Sequence, residues 1–593
     1  MNRQIWRAGA WRVEWENGGL RYLTWNGVEI ARGIYAAVRD SDWGTVLPRV
    51  GETVINETED GLECRFTCEH IRDDIDFVWR GTIVLSPCEL RFEFDGTARS
   101  SFLRNRIGIC VLHPMEFAGM AVRVETESGR VSGRFPASVS PHQPFTDIAA
   151  MEYEPVPGLS VRMTFSGDRF EMEDQRNWTD ASFKTYCTPL RLPFPVRVEA
   201  GERIRQTVSI AVNPASFFAK PADPATGEHL LTITGEAIGR LPEIGFLLAG
   251  GPLSEAELAE LRKLEPSFVR VALDMTGPDW DARLREAVHA AERLNCAIEL
   301  EALVADGGSP EALLRFIAER RAPVRRLIPF RAGAFDSESA VLAACRNGAA
   351  GLGLSLGIGG GTRGNYAEFN RAKLPLALMD FGTYAINPQV HAFDDRSVME
   401  TLLAQPVTAS DAQAKTGKPL CPGPITLKPR LNPASTSGKP ISVEEQRDDR
   451  LDGPFCAAWT LGSLAALAVP GVQGITYFET HGPLGLTDGG RNRPVYNVFH
   501  AIAEYRGADI FRVEGIPKSA AVLGLGKLDR KRILLANLTA EPIELKLVPG
   551  DDFPGPLRVS GHACLSPDSR VVSGPDGLDI RLAPYDFAAA DLA

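Results

Sequence analysis

The chain has 593 residues and a formal net charge of -12, with Asp+Glu 76 against Lys+Arg 64. That length exceeds one hydrophobic core, so roughly two to four domains are expected. The acidic balance and the lack of basic runs with interleaved aromatics argue against nucleic acid as a partner. No window approaches the roughly 18 consecutive apolar residues that span a membrane. The opening Met1-Asn-Arg-Gln-Ile-Trp-Arg-Ala-Gly-Ala-Trp11 has no apolar signal core, so a cytoplasmic protein without a membrane partner is expected. Ten cysteines scattered from Cys64 to Cys564 show no CxxC pairs and read as buried reduced thiols. Without His-x-His or His-Glu-x-x-His, no metal or other cofactor is expected.

Residues 1–235 read as β-structure throughout. Alternating runs at 11–15, 61–68, 80–85, 90–94 and 204–212 are punctuated by Asn26-Gly27, Asp60-Gly61 and Ser166-Gly167-Asp168. Such short, regularly spaced strands predict an N-terminal β-sandwich. The stretch Asp174-Gln-Arg-Asn-Trp-Thr-Asp-Ala-Ser-Phe-Lys-Thr-Tyr-Cys187 is too polar for a core strand and reads as a loop at a domain interface. Either it is a recognition loop presenting Arg176 and Trp178, or Asp174, Arg176 and Lys184 knot an irregular crossing.

Turn chemistry in Lys220-Pro-Ala-Asp-Pro-Ala-Thr-Gly227 closes this domain, and the pattern then changes to alternating strand and helix. Strand-like runs fall at 244–249, 268–274, 297–304, 325–330, 352–358, 381–387, 424–428 and 474–480, each followed by a helical pattern. The first helix opens with Ser254 and Glu257 at the capping-box offset. Eight such units predict a (β/α)8 TIM barrel over residues 236–510. Runs at 520–525, 532–538, 543–548 and 578–582 predict a small C-terminal β-sandwich over 511–593.

In such a barrel the reacting groups lie at the carboxyl ends of the strands. Strand eight lies in Gly474-Ile-Thr-Tyr-Phe-Glu-Thr-His-Gly-Pro-Leu-Gly485, where a period of two sets Ile475, Tyr477 and Glu479 on one side and Thr476, Phe478 and Thr480 on the other. Glu479 is therefore a strand-end carboxylate. Glu301 is near the end of strand three and Asp274 ends strand two; Asn387, Gln389 and His391 follow strand six; Lys428 and Arg430 follow strand seven. Blander roles exist for several. Glu479 could pair with Lys428 or Arg430 to close the barrel, His391 could be a hydrogen-bonded loop residue, Glu301 could satisfy a polar layer and Asp274 could cap a helix.

Top-face carboxylates first suggest a glycosidase, which needs a carboxyl pair about 5 to 9.5 Å apart. The large glycosidase clan on this barrel takes its pair from strands four and seven. Here those strands end Ile328-Pro-Phe-Arg-Ala332 and Leu427-Lys-Pro-Arg430, with no carboxylate, so only another pair such as Glu301 and Glu479 stays open. No Gly-x-Ser-x-Gly elbow offers a serine nucleophile.

The polar stretch 174–187, Ala385-Ile-Asn-Pro-Gln-Val-His-Ala-Phe-Asp394 and Thr476-Tyr-Phe-Glu-Thr480 together resemble the D-apionate lactonase family of bacterial apiose catabolism. Asn105-Arg-Ile-Gly-Ile-Cys-Val-Leu-His-Pro114 and Ala457-Ala-Trp-Thr-Leu-Gly-Ser463 are similar to it as well. The strand-five turn, Gly361-Thr-Arg-Gly-Asn365, departs from the Gly-Thr-Asn expected there. The resemblance implies cytoplasmic hydrolysis of D-apionolactone to D-apionate, so the partner is a small sugar lactone or sugar acid. Opening a lactone with water needs a base, donors for the oxyanion and an acid for the leaving oxygen. We assign Glu479 as base, Lys428 and Asn387 to the oxyanion and His391 as acid. Asn387, Gln389, Glu301, Asp274, Arg430, Trp178 and Arg176 are the residues expected to contact the sugar. The alternatives are a glycoside hydrolase acting on a small or furanosyl glycoside and a carbohydrate-binding scaffold without chemistry.

Overall fold

The computed structural model describes residues 3–58, 61–214, 229–553 and 557–592. The linker at 220–227 and Asp60 of the 60–61 turn lie outside them. The chain divides into two compact units. One comprises Met1–Asn177, Ala181–Thr226 and Ala434–Lys439, the other Trp178–Asp180, Gly227–Pro433 and Pro440–Ala593.

The first unit is a system of seventeen antiparallel strands among the described residues. Alternation builds its core: in Ile75–Ser86 the buried face carries Ile75, Phe77, Trp79, Ile83 and Leu85. Trp79 lies against Phe66 and Phe94 with ring centroids 5.1 and 4.9 Å apart. Edge-on and tilted aromatic pairs of this kind add about 0.5–1.5 kcal/mol each beyond the area they bury.

The polar stretch is no loop. Phe170–Asp174 and Ser182–Tyr186 are paired strands with every residue buried, joined through a 3-10 turn at Gln175–Trp178. Burial is tolerated because the charges are matched. Arg176 donates to Asp174 through Nε at 2.9 Å and a terminal nitrogen at 2.7 Å, and Lys184 pairs with Glu173 at 2.5 Å.

In the second unit, Glu243–Leu247, Phe268–Asp274, Ala297–Val304, Val324–Arg331, Gly357–Gly361 and Phe381–Thr383 are barrel strands one to six, and Gly474–His481 is strand eight. Consecutive members pair in parallel, and strand eight pairs with strand one. The seventh position is the exception. The strand expected at 424–428 is replaced by single parallel bridges, Leu420 to Gly382 and Val472, and Ile425 to Ile386 and Tyr477. Pro419, Pro422 and Pro424 interrupt this segment, and each lacks the N–H a ladder needs.

Strand five is also displaced from 352–358, because the preceding helix runs on through Ser339–Gly351 and leaves Leu352 exposed. Its glycines are steric. A Cβ on Gly359 would meet the Phe381 ring at 2.4 Å, and one on Gly361, at φ +146°, would meet the Thr383 carbonyl at 2.0 Å. The first helix, Glu255–Lys263, carries the expected capping box of Ser254 and Glu257.

A third sheet, of nine strands among the described residues, contains Ala520–Lys527, Arg530–Asn537, Ile543–Pro549 and Leu578–Leu582. It also contains His229–Arg240, which straddles residue 235 and pairs in parallel with Ile543–Pro549. No helix among the described residues is long and apolar enough to cross a membrane.

Candidate active site

The barrel interior holds charge where aliphatic layers are usual. Arg326 on strand four reaches Glu243 on strand one and Glu299 on strand three, the latter at 3.2 Å. Arg270 on strand two reaches Glu299 at 3.4 Å and Glu301 at 2.8 Å. Arg363, after strand five, donates to the other oxygen of Glu301 at 2.9 Å. Burial works to raise the Glu301 pKa, but Arg270, Arg363 and Arg430 overcome it and bring it to about 2. Glu301 is thus an ionised clamp with both oxygens engaged.

Strand eight does not keep its period of two. Tyr477 pairs with Phe246 and Glu479 with the next residue, Leu247, so a bulge falls at Phe478. Thr476 faces the interior, 3.5 Å from Glu299, while Tyr477 faces the helices and donates to Ser463 at 3.0 Å. Glu479 therefore does not share the face of Tyr477. It lines a small cleft beside Phe478, Lys428, Arg430, Gln446 and Asp448.

The carboxylate of Glu479 accepts no hydrogen bond and has no cation within 4.0 Å among the described residues. Burial raises its pKa, against the opposing pull of Arg430 and Arg283. Arg430 is pushed down by burial, and its Nε is buried without a partner. Lys428 lines the same cleft.

Asp448 was not anticipated. Burial raises its pKa, but hydrogen bonds from Arg450 and Gln389 bring it to about 2. Gln389 donates to Asp448 at 2.6 Å and to the Leu427 carbonyl at 2.7 Å, bracing two residues of the cleft wall. The only sequence signal was the charged run Arg447-Asp-Asp-Arg450 in the excursion after the seventh position.

His391 is not among the lining residues. Its Nδ1 lies 2.6 Å from Asp180, and its ring meets Trp178 edge-on at 5.1 Å. Arg371 lies over the other partner, Trp178, at 5.2 Å. Asn387 is buried, donates through Nδ2 to Asn365 at 2.8 Å and leaves Oδ1 without a partner.

Two expected contacts fall elsewhere. Asp274 is exposed and accepts from the Thr276 amide and hydroxyl at 2.9 and 2.7 Å, closing a turn. Arg176 belongs to the first unit, where Asp174 and the carbonyls of Pro136, Ala137 and Ser138 accept its hydrogens.

Residues 1–215, 244–507 and 517–590 match, respectively, the N-terminal domain, the TIM barrel domain and the C-terminal immunoglobulin-like domain of D-apionate lactonase. A D-apionate lactonase from Brucella anthropi is 31% identical over 543 residues, covering 85% of this chain and 88% of the relative. The chain belongs to the D-apionate lactonase family. As a D-apionate lactonase family member it is an enzyme, a lactone hydrolase. Among solved structures, a GH30 endoxylanase from Clostridium papyrosolvens is 10% identical with TM-score 0.43, over 61% of this chain and 99% of that one. A family 51 α-L-arabinofuranosidase from Bifidobacterium longum is 12% identical with TM-score 0.44, over 62% and 100%.

Proposed function

We propose that this lactonase hydrolyses D-apionolactone to D-apionate with Glu479 as general base. The observation that carries the reading is a half-buried carboxylate of raised pKa, engaged by no side chain among the described residues, that shares a cleft with Lys428 and Arg430 at the end of strand eight. A base with elevated proton affinity takes a proton from water more readily near neutral pH than an ordinary carboxylate does. Water adds to the lactone carbonyl as its proton passes to Glu479, and Lys428 neutralises the tetrahedral oxyanion. The ring C–O bond then breaks, and His391 gives its proton to the leaving alkoxide. Asp180 at Nδ1 holds that ring in its orientation.

Asn387 is better suited to a sugar hydroxyl than to the oxyanion, because the atom it offers is an acceptor. Gln389 acts through the cleft wall, and Trp178 through His391. Glu301 holds arginines in place, so its role is beneath the sugar and not against it. That same engagement weighs against the glycosidase alternative, which needs Glu301 as a second working carboxyl.

Incubation with D-apionolactone and with aryl glycosides separates the two readings. Acid release without phenol is expected, and phenol release without acid would overturn the lactonase reading for this chain.

A further inference from the structure

Arg430 is a half-buried cation with no hydrogen-bond or ion-pair partner among the described residues. Its Nε is buried without a hydrogen-bond partner, and no carboxylate comes within 4.0 Å of it among the described residues. The carboxylates whose charge reaches it are Glu301 and Glu479. Glu301 already gives one oxygen to Arg270 at 2.8 Å and the other to Arg363 at 2.9 Å. Glu479 shares the cleft with Arg430 but does not touch it. Lys428 lines the same cleft, and its ammonium makes no hydrogen bond or ion pair among the described residues. A guanidinium whose fork of donors is left without a direct partner suits a place that an anion visits.

We infer that Arg430 and Lys428 form an anion subsite that binds the carboxylate of an open-chain sugar acid, so that the enzyme holds its product class more tightly than a neutral polyol. The inference rests on the lactonase reading for what makes the anion: hydrolysis converts a neutral ring ester into a carboxylate beside these two cations. Glu479 does not repel that carboxylate as it forms, because it has just taken the proton from water.

Calorimetric titration of the full chain with D-erythronate and with erythritol, at low and high salt, tests the subsite without turnover. Erythronate is expected to bind, erythritol to bind far less, and salt to weaken only the acid. Arg430→Gln is expected to weaken erythronate binding on the order of 30-fold, as loss of a buried charge partner does. Lys428→Met is expected to weaken it in the same sense and decides the matter if Arg430→Gln does not fold. Equal binding of acid and polyol, or wild-type affinity in the folded variants, overturns the subsite. Erythronate binding that depends on these cations in an enzyme that opens no lactone would keep the subsite and remove the proposed reaction. Lactone hydrolysis without preference for the acid would do the reverse.

Discussion

At Glu479 burial raises the proton affinity, and the opposing pull of Arg430 and Arg283 does not cancel it. In the proposed reaction the base works in its ionised form, so kcat/KM is expected to fall about ten-fold per pH unit below the raised Glu479 pKa, leaving an acid limb above the ordinary carboxylate range. Glu479→Gln is expected to lower kcat by roughly 10²–10⁴-fold with little change in KM, which steady-state kinetics on the lactone would read. Glu301 behaves oppositely. Its folded pKa of about 2 lies below the ordinary glutamate value of about 4.5, so the stability it supplies is complete above about 4.5 and lost as pH falls toward 2. Glu301→Ala would leave Arg270 only its longer 3.4 Å contact with Glu299 and take from Arg363 the carboxylate it donates to, and denaturant unfolding near neutral pH is expected to show a loss of about 3 kcal/mol. The strand-end position of Glu479 could be read from its neighbours in sequence. The clamp on Glu301 could not, because its arginines come from positions 270 and 363, which meet only when the ring closes.

The barrel strands were legible where hydrophobic runs were long, as in Phe268–Asp274 and Ala297–Val304. They were misread where glycine and proline set the backbone. Leu352-Gly-Leu-Ser-Leu356 has the more strand-like side chains, yet Gly357–Gly361 takes the slot, where Gly359 and Gly361 leave no room for a Cβ beside Phe381 and Thr383. Gly361→Ala is therefore expected to cost at least ~1–3 kcal/mol, visible as a lowered thermal midpoint. On strand eight the alternation was read correctly as far as Tyr477 and failed at the bulge, which depends on pairing with strand one and has no local mark. Tyr477→Phe would remove the bond to Ser463, itself bonded to Gln405 at 2.7 Å, and is expected to cost about 1 kcal/mol without changing KM.

Over the whole chain, the three-part order of a β-rich start, an alternating centre and a β-rich end could be read from pattern alone. The bookkeeping of short segments could not. Trp178–Asp180 cluster with the barrel although their sequence neighbours on both sides do not, and Ala434–Lys439 cluster with the first unit, where Asp42 accepts bonds from Ser435, Thr436 and Ser437. In the lactonase, Asp180→Ala is expected to lower kcat by about 10²-fold while far-ultraviolet circular dichroism stays unchanged, since it removes the support of His391 and no buried apolar surface. The His391–Asp180 pair joins positions 211 residues apart. At a synthesis rate of roughly 5–20 residues per second, the aspartate leaves the ribosome on the order of 10–40 s before its histidine exists. A nascent chain therefore carries the aspartate without its histidine for about a third of translation, and Glu479, further along the chain, comes later still.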